Sequence, residues 1–322
     1  MNKSFKNYTS ICTNFRNESD YIYEWVVYHL ILGFDRLYLY NHRSDDKYKD
    51  ILEPFIEKGL VVLNSVDSEG TWPEAYQEKP QQEINYSSPK NEMKRHFFKN
   101  YAQDNRWTCF IDMDEYIVTG GYRNIREVMA EFDSEVAVAM VWRDYLSSGI
   151  KTKEEGLVLG RFREYSKIPT AIPPIQNVPW FHLVEDEEHW GFKTICNPNV
   201  VTRESRDSSS PHTFLYEKQA KAVTENHDTI PDGTPVAKMS YNKIFVAHYK
   251  WKSLEEYMRR RFDLPRDDSG KYKESGDRQK VLRDNEWLRE SIGKKENRVY
   301  DRDVESMIAK IKKFNIDNFR RQ

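Results

Sequence analysis

Two carboxylates one residue apart close an apolar run: Trp107–Ile111 leads directly into Asp112-Met113-Asp114-Glu115. Thr108-Cys109-Phe110-Ile111 reads as a buried strand, apolar and bounded by polar segments. Carboxylates so spaced at a strand end can converge on one hard cation. A divalent ion held there can hold a diphosphate, whose oxygens commonly complete the shell of Mg2+ or Mn2+. Moving a sugar from a nucleotide diphosphate is chemistry of this kind. The plain alternative is a solvated acidic turn after a core strand, which an isolated Asp-x-Asp usually is. The rest of the chain must therefore discriminate. Asp114 is the first choice for direct contact with the ion, and Asp112 for contact through water or with a ribose. Glu115 either supports the pair from behind or faces away.

Four further groups of residues could complete such a site. Asn14-Phe15-Arg16-Asn17-Glu18 follows a short apolar run, where Asn14, Arg16, Asn17 and Glu18 can bond a base and ribose. Free amides at the next helix start can face an anion; equally, Asn17 and Ser19 can simply cap that helix. Tyr40-Asn41-His42-Arg43-Ser44-Asp45-Asp46 ends the second run, and a nucleoside between neighbouring strand tips would touch Asn41. In Glu185-Asp186-Glu187-Glu188-His189-Trp190, a carboxylate beside Trp can be desolvated toward a useful pKa. Asp186 is accordingly the preferred base for an acceptor hydroxyl, a role worth about 10²–10⁴-fold, with Asp144 as its competitor. His212 and His248 sit at strand-like ends; a nitrogen ligand would favour Mn2+ over Mg2+. Lys193 can neutralise a departing diphosphate. The Arg259-Arg260-Arg261 triplet can do the same, although such a run reads by default as a solvated helix face.

The elements that position these residues alternate through the first 145 positions. Tyr21–Leu32 reads as a helix, with Ile22, Trp25, Val26 and Leu30 on one face and Gly33 as its stop. Arg36–Tyr40 and Leu60–Val66 read as strands. Asp45–Lys58 reads as a helix opened by acidic residues, with Pro54 as a kink or early end. Repeated strand–helix–strand order predicts an α/β fold, a mostly parallel sheet with helices on both faces. Ligands of such sheets sit beyond the carboxyl ends of the strands. Asn91–Asp104 reads as a helix, and Glu135–Trp142 and Ile244–His248 as strands. Ser253-Leu254-Glu255-Glu256 is a capping box, and Asp301–Phe314 a final amphipathic helix. Residues 68–90, rich in Pro, Glu and Gln, read as a loop over the site.

Composition removes other classes. A net charge of −2 over 322 residues gives no general field for nucleic acid. Twenty Tyr and eight Trp exceed what a core requires and suit surfaces facing sugars. Three cysteines imply no disulfide framework and a reducing, cytoplasmic compartment. No apolar run of about 18 residues predicts a membrane span, and no apolar leader opens the chain. The basic end (Lys310, Lys312, Lys313, Arg320, Arg321) permits weak attachment to an anionic membrane.

Several pieces, in this order, resemble glycosyltransferase family 92 and related family 2-like enzymes. They are Asn17-Glu18 with Tyr21–His29, Gly33-Phe34-Asp35, Tyr40-Asn41 with Ser44-Asp45, Phe110–Tyr116, Lys193-Thr194-Ile195 with Pro198, and His248-Tyr249 with Lys252-Ser253. The resemblance implies a Rossmann-like GT-A domain over 1–262, a nucleotide-binding half to 118 and an acceptor half after it, then a charged helical extension over 263–322. It also implies a nucleotide-sugar donor, a glycan acceptor, inversion, and a Mn2+ or Mg2+ cofactor at Asp112 and Asp114. Asn17 and Glu18 would lie near the nucleoside. His212 or His248 would be a late metal ligand, and Glu185-Asp186 would supply the base. Two rivals remain. A nucleotidyltransferase would want a glycine-rich loop where Asn14–Glu18 stands. A non-catalytic carbohydrate-binding protein would not need the intact acidic tip.

Overall fold

Period-2 alternation along β1 (Asn7–Phe15) explains the layering: Ile11 and Phe15 enter one apolar cluster, and Cys12 enters another on the opposite face. The computed structural model describes residues 4–66, 89–167, 189–206, 212–234, 236–263 and 298–319. After β1 come α1 (Ile22–Leu32), β2 (Arg36–His42), α2 (Tyr48–Glu57), β3 (Val61–Val66), α3 (Pro89–Asn100), β4 (Asn105–Phe110), β5 (Glu115–Val118) and α4 (Ile125–Ala130). They are followed by β6 (Ala137–Asp144), β7 (Glu164–Ser166), β8 (His189–Cys196), β9 (Val236–Lys238), β10 (Phe245–His248), α5 (Leu254–Met258), β11 (Arg298–Tyr300) and α6 (Val304–Lys312). The expected loop over 68–90 falls almost wholly outside the described residues.

The main sheet runs β3-β2-β1-β4-β8-β6-β10-β5, with β9 paired to β8. Helices cover both faces. Trp25, Leu52, Val128 and Ile308 fill one core, and Phe97, Phe98, Phe110 and Phe214 the other. This α/β architecture agrees with the sequence, but the sheet is mixed where a mostly parallel one was expected. β8 inserts antiparallel between β4 and β6, and β5 runs antiparallel to β10. β8 was hard to see because His189, Gly191 and Lys193 interrupt its apolar pattern.

Local chemistry sets the helix ends. Gly33 takes φ 102°, and the amides of Gly33 and Phe34 donate to Leu30 and His29 carbonyls, closing α1. α2 begins at Tyr48, later than expected, because the acidic residues before it serve a turn. Asp46 Oδ2 accepts the Ser19 amide at 2.7 Å, and the Asp45 amide donates to Asn17 Oδ1 at 2.9 Å. Pro54 lies within α2 without ending it. The predicted capping box is present: Ser253 Oγ accepts the Glu256 amide, and the Glu256 carboxylate accepts the Ser253 amide. That carboxylate also takes two bonds of 2.9 Å from Arg161 and one of 2.8 Å from Tyr21 Oη. Burial opposes its ionisation, but these donors outweigh burial and hold its pKa at about 2.

The C-terminal segment 298–319 returns to the main body. β11 pairs with β7, Asp301 accepts the Tyr145 hydroxyl, and Ile308 and Ile311 enter the principal core. Among the described residues no helix is long and apolar enough to cross a membrane.

Two outcomes test this packing. A Cβ on Gly191 would stand 2.3 Å from Trp142 Cζ3, so Gly191→Ala is expected to lower stability by about 1–3 kcal/mol in urea titration. An unchanged midpoint would contradict the contact. Glu256 has a depressed folded pKa, so its contribution is full above its ordinary 4.5 and is lost as pH falls toward about 2. Glu256→Gln should therefore flatten the loss of melting temperature across that window, whereas an identical acid profile would show the ionised carboxylate to be idle.

Candidate active site

The acidic tip is the short connection between two strands that are consecutive in sequence but separated in the sheet by β8, β6 and β10. β4 ends at Phe110 and β5 begins at Glu115, and the Glu115 amide donates to the Asp112 carbonyl at 3.1 Å. Met113 is buried in the core, 2% exposed, which anchors the turn between its two aspartates. Glu115 is fully buried and does not face away. Its Oε2 accepts the Asp112 amide at 2.8 Å, and its Oε1 accepts Trp142 Nε1–H at 2.8 Å. Burial raises its pKa, and Lys193 Nζ, 3.6 Å away, works against that rise.

Cations surround the two aspartates. Asp112 receives Lys90 Nζ at 2.6 Å and Lys193 Nζ at 3.1 Å. Asp114 receives Arg260 at 2.5 Å, and its carbonyl accepts the Tyr249 amide at 2.8 Å. Burial would raise both pKa values. The two lysines overcome it at Asp112, as Arg260 and His248 do at Asp114, and both carboxyls stay well below the usual range. Sheet register brings in the rest: His248 on β10 lies opposite Glu115 on β5 and beside Asp144 on β6. His248 Nε2 stands 3.9 Å from Asp114 Oδ2, and its Nδ1 stands 3.1 Å from Asp144 Oδ1. Asp144 Oδ2 accepts Lys250 Nζ at 3.0 Å. The Trp142 ring packs against His248 at 5.1 Å between centroids, and against His212 edge-on at 5.2 Å. His212 is paired through Nδ1 with the Phe192 carbonyl at 2.9 Å, and burial pushes its pKa down to about 3.

The other expected residues divide between cavity and scaffold. Glu18 and Asn17 line a cavity together with Tyr21, Lys250, Lys252 and Arg260, the last of which bonds Asp114. Asn17 takes φ 55° and joins the two strand-end turns, its amide donating to Ser44 Oγ at 2.8 Å. Asn41 spends its side chain inside the protein: Nδ2 donates to Tyr48 Oη and Ser65 Oγ, both at 2.8 Å, and Oδ1 accepts the Ser44 amide at 3.0 Å. That leaves it a turn holder rather than a nucleoside contact. Asn14 is buried at the carboxyl end of β1, with Arg16 just beyond it. Lys193 is 1% exposed and engages Asp112 and Glu115, so it acts on the tip. Asp186 lies outside the described residues.

Sequence reasoning missed Lys90, Trp142 and Lys250, and left Arg260 at its default. Arg260 was read as part of a solvated triplet, although 146 positions separate it from its partner Asp114. No local signal marks such a pairing. It missed His42 as well. This residue is buried beside Arg16 and Arg43, with its pKa pushed down to about 4, chiefly by burial, and Nδ1 has no hydrogen-bond partner among the described residues.

The residues can be tested against the divalent ion that the resemblance implies. Among the described residues no three His, Cys, Asp or Glu side chains converge as a metal cluster. Asp114 Oδ2 and His248 Nε2 nevertheless face each other, a hard oxygen and an imidazole nitrogen. Ions of the Mg2+ type are commonly held by one or two carboxylates and completed by substrate phosphates and water. Arg260 stands 2.5 Å from the same Asp114 oxygen, so an ion there would have to displace the guanidinium. Asp112, with both oxygens on lysines, fits direct coordination less well.

The model of glycosyltransferase family 92 matches residues 7–308. A glycosyltransferase family 92 protein of Oryza sativa subsp. japonica is 25% identical over 122 residues, 38% of this chain and 18% of that protein. One of Ricinus communis is 25% identical over 128 residues, 40% of this chain and 19% of that protein. The alignments thus span less than a fifth of these curated relatives. Among solved structures, S. aureus TarS 1-349 is similar at a TM-score of 0.32 and 12% identity, covering 59% of this chain and 47% of that one. Glucosyl-3-phosphoglycerate synthase from Mycobacterium tuberculosis, in complex with Mn2+ and uridine diphosphate, is similar at 0.32 and 14%, covering 59% and 57%. With the family model matched across all but the two ends, this chain belongs to glycosyltransferase family 92.

Proposed function

We propose that the protein is a metal-dependent, inverting glycosyltransferase that moves a sugar from a nucleotide diphosphate to a hydroxyl of a glycan. The observation that carries this reading is the approach of His248 to Asp114, whose partner Arg260 lines a cavity with Glu18, Lys250 and Lys252. When bound, Mn2+ or Mg2+ supplies positive charge to the diphosphate oxygens as the sugar leaves.

The chain's own residues do the remaining work. Asp114 and His248 would hold the ion. Arg260 neutralises Asp114 while the site is empty, and turns to the departing diphosphate when the donor is in place. Lys250 and Lys252 add positive charge along the same wall, where negative charge develops in the transition state. Lys252 is deeply buried, and burial lowers its pKa. Lys193 and Lys90 keep Asp112 ionised and oriented toward the donor's ribose or an ion-bound water. Glu18, at the carboxyl side of β1, faces the nucleoside. Withdrawal of the acceptor's proton falls to Asp186 in this reading, since Asp144 is already engaged by Lys250 and His248.

Membership in family 92 supports sugar transfer, and inversion rests on the resemblance to the family. Cys12, Cys109 and Cys196 are buried free thiols, which supports a reducing compartment such as the cytoplasm.

Asp114→Asn tests the site. Release of nucleoside diphosphate from a nucleotide-sugar panel with Mn2+ is expected to fall by about two orders of magnitude or more, with the circular dichroism unchanged. EDTA should abolish wild-type release, and added Mn2+ should restore it. A fully active Asp114→Asn protein would contradict the assignment.

A further inference from the structure

We propose that Lys252 presents its ammonium to an oxygen of the donor's diphosphate, and that Tyr21 is the positioning residue that holds it there. The proposal deepens the reading above, on which it rests, and the contact needs no metal ion.

Lys252 is a buried cation without a bonded partner. It is 6% exposed, and its ammonium makes no hydrogen bond or ion pair among the described residues. Glu18, Asp114 and Glu256 act on it electrostatically, yet none of them bonds it. Its contact is instead the face of Tyr21, with Nζ 3.5 Å from the ring centroid. The negative face of an aromatic ring attracts a cation, most strongly where water is excluded. An ammonium has three donors, so N–H bonds pointing away from the ring stay available. Both side chains line the cavity that also holds Lys250, Arg259 and Arg260. Those three are already engaged, Lys250 by Asp144, Arg259 by Asp20 and Arg260 by Asp114. A lysine is seldom buried unless it is paired, because its charge loses water. An anionic ligand oxygen is the partner this position lacks. The cavity measures about 30 Å³, room for one or two water-sized groups. It therefore admits an oxygen of a ligand seated at its mouth, and not a whole sugar.

The surroundings fix both sides of the contact. The Tyr21 hydroxyl donates to Glu256 Oε1 at 2.8 Å, and Arg161 holds the same carboxylate through two bonds of 2.9 Å. Glu256 also closes the capping box with Ser253, the residue after Lys252. One carboxylate thus orients the ring and anchors the backbone next to the lysine. Lys252 itself takes φ 39°, in the left-handed region that a non-glycine residue adopts at a cost. Such backbone persists where its neighbours impose it, and it gathers at functional sites.

Inorganic pyrophosphate in EDTA is the probe, followed by titration calorimetry. Wild-type protein should bind it, and Lys252→Met should weaken binding about 10–100-fold. Tyr21→Leu should weaken it about 3–30-fold when Lys252 is present, and by less than about twofold in the Lys252→Met background. A ring that only supports the fold would lower affinity equally in both backgrounds, and that result would overturn the positioning role. Should Tyr21→Leu fail to fold, Tyr21→Phe variants carrying none to three ring fluorines keep the shape and drain the negative face. Affinity should then fall with each fluorine when Lys252 is present and stay level in the Lys252→Met background; a level series in both would also overturn it. Pyrophosphate should compete with the nucleotide sugar in turnover. No binding by wild type, binding indifferent to Lys252→Met, or inhibition that is not competitive would each overturn the contact with the donor's diphosphate. The calorimetric probe holds neither sugar nor metal, so its failure is distinct from failure of the Asp114→Asn test, which reads metal-dependent turnover.

Discussion

A fully buried carboxylate, Glu115, holds the acidic tip in shape. Ionised groups are rarely buried without partners, because losing water costs several kcal/mol per ion. Glu115 meets that cost with the Asp112 amide, the Trp142 indole N–H and the nearby Lys193 ammonium. Those partners belong to three pieces of chain: the β4–β5 turn, β6 and β8. One side chain thus ties the turn that presents Asp112 and Asp114 to the strands that carry Lys193 and Trp142. The backbone carbonyl of Glu115 also accepts Trp25 Nε1–H from α1 at 2.9 Å, so the tip is fixed to the helix layer too.

The insertion of β8 makes this possible. An antiparallel strand between β4 and β6 brings Lys193 from a remote part of the chain to the tip, opposite Met140 on β6. Gly191 on the same strand leaves room for the Trp142 ring, which in turn supports both Glu115 and His248. The carboxylates at 112, 114, 115 and 144 are then met by Lys90, Lys193, Arg260 and Lys250. This balance lets four acids crowd one strand edge without repelling the turn apart.

Local features were legible in the sequence. Gly33 stops α1, and Ser253 and Glu256 form their capping box, because each depends on neighbours within a few positions. The acidic tip and His248 were visible as residue types at strand ends. Register was not: a lone histidine gives no sign that it will lie opposite Glu115 and beside Asp144. Two expectations failed for physical reasons. Asp45 and Asp46 looked like a helix start, but their turn bonds to Asn17 and Ser19 delay α2. Asn41 looked like a nucleoside contact, but its amide bonds to Tyr48, Ser65 and Ser44 fix the turn instead.

The proposed site requires a cation gathered by the tip that Glu115 shapes. Anomalous diffraction from crystals grown with Mn2+ and a nucleoside diphosphate addresses it most directly. One manganese peak is predicted between Asp114 Oδ2 and His248 Nε2, with Arg260 displaced toward the diphosphate. A peak elsewhere, or nucleotide bound with no metal at that position, would contradict it.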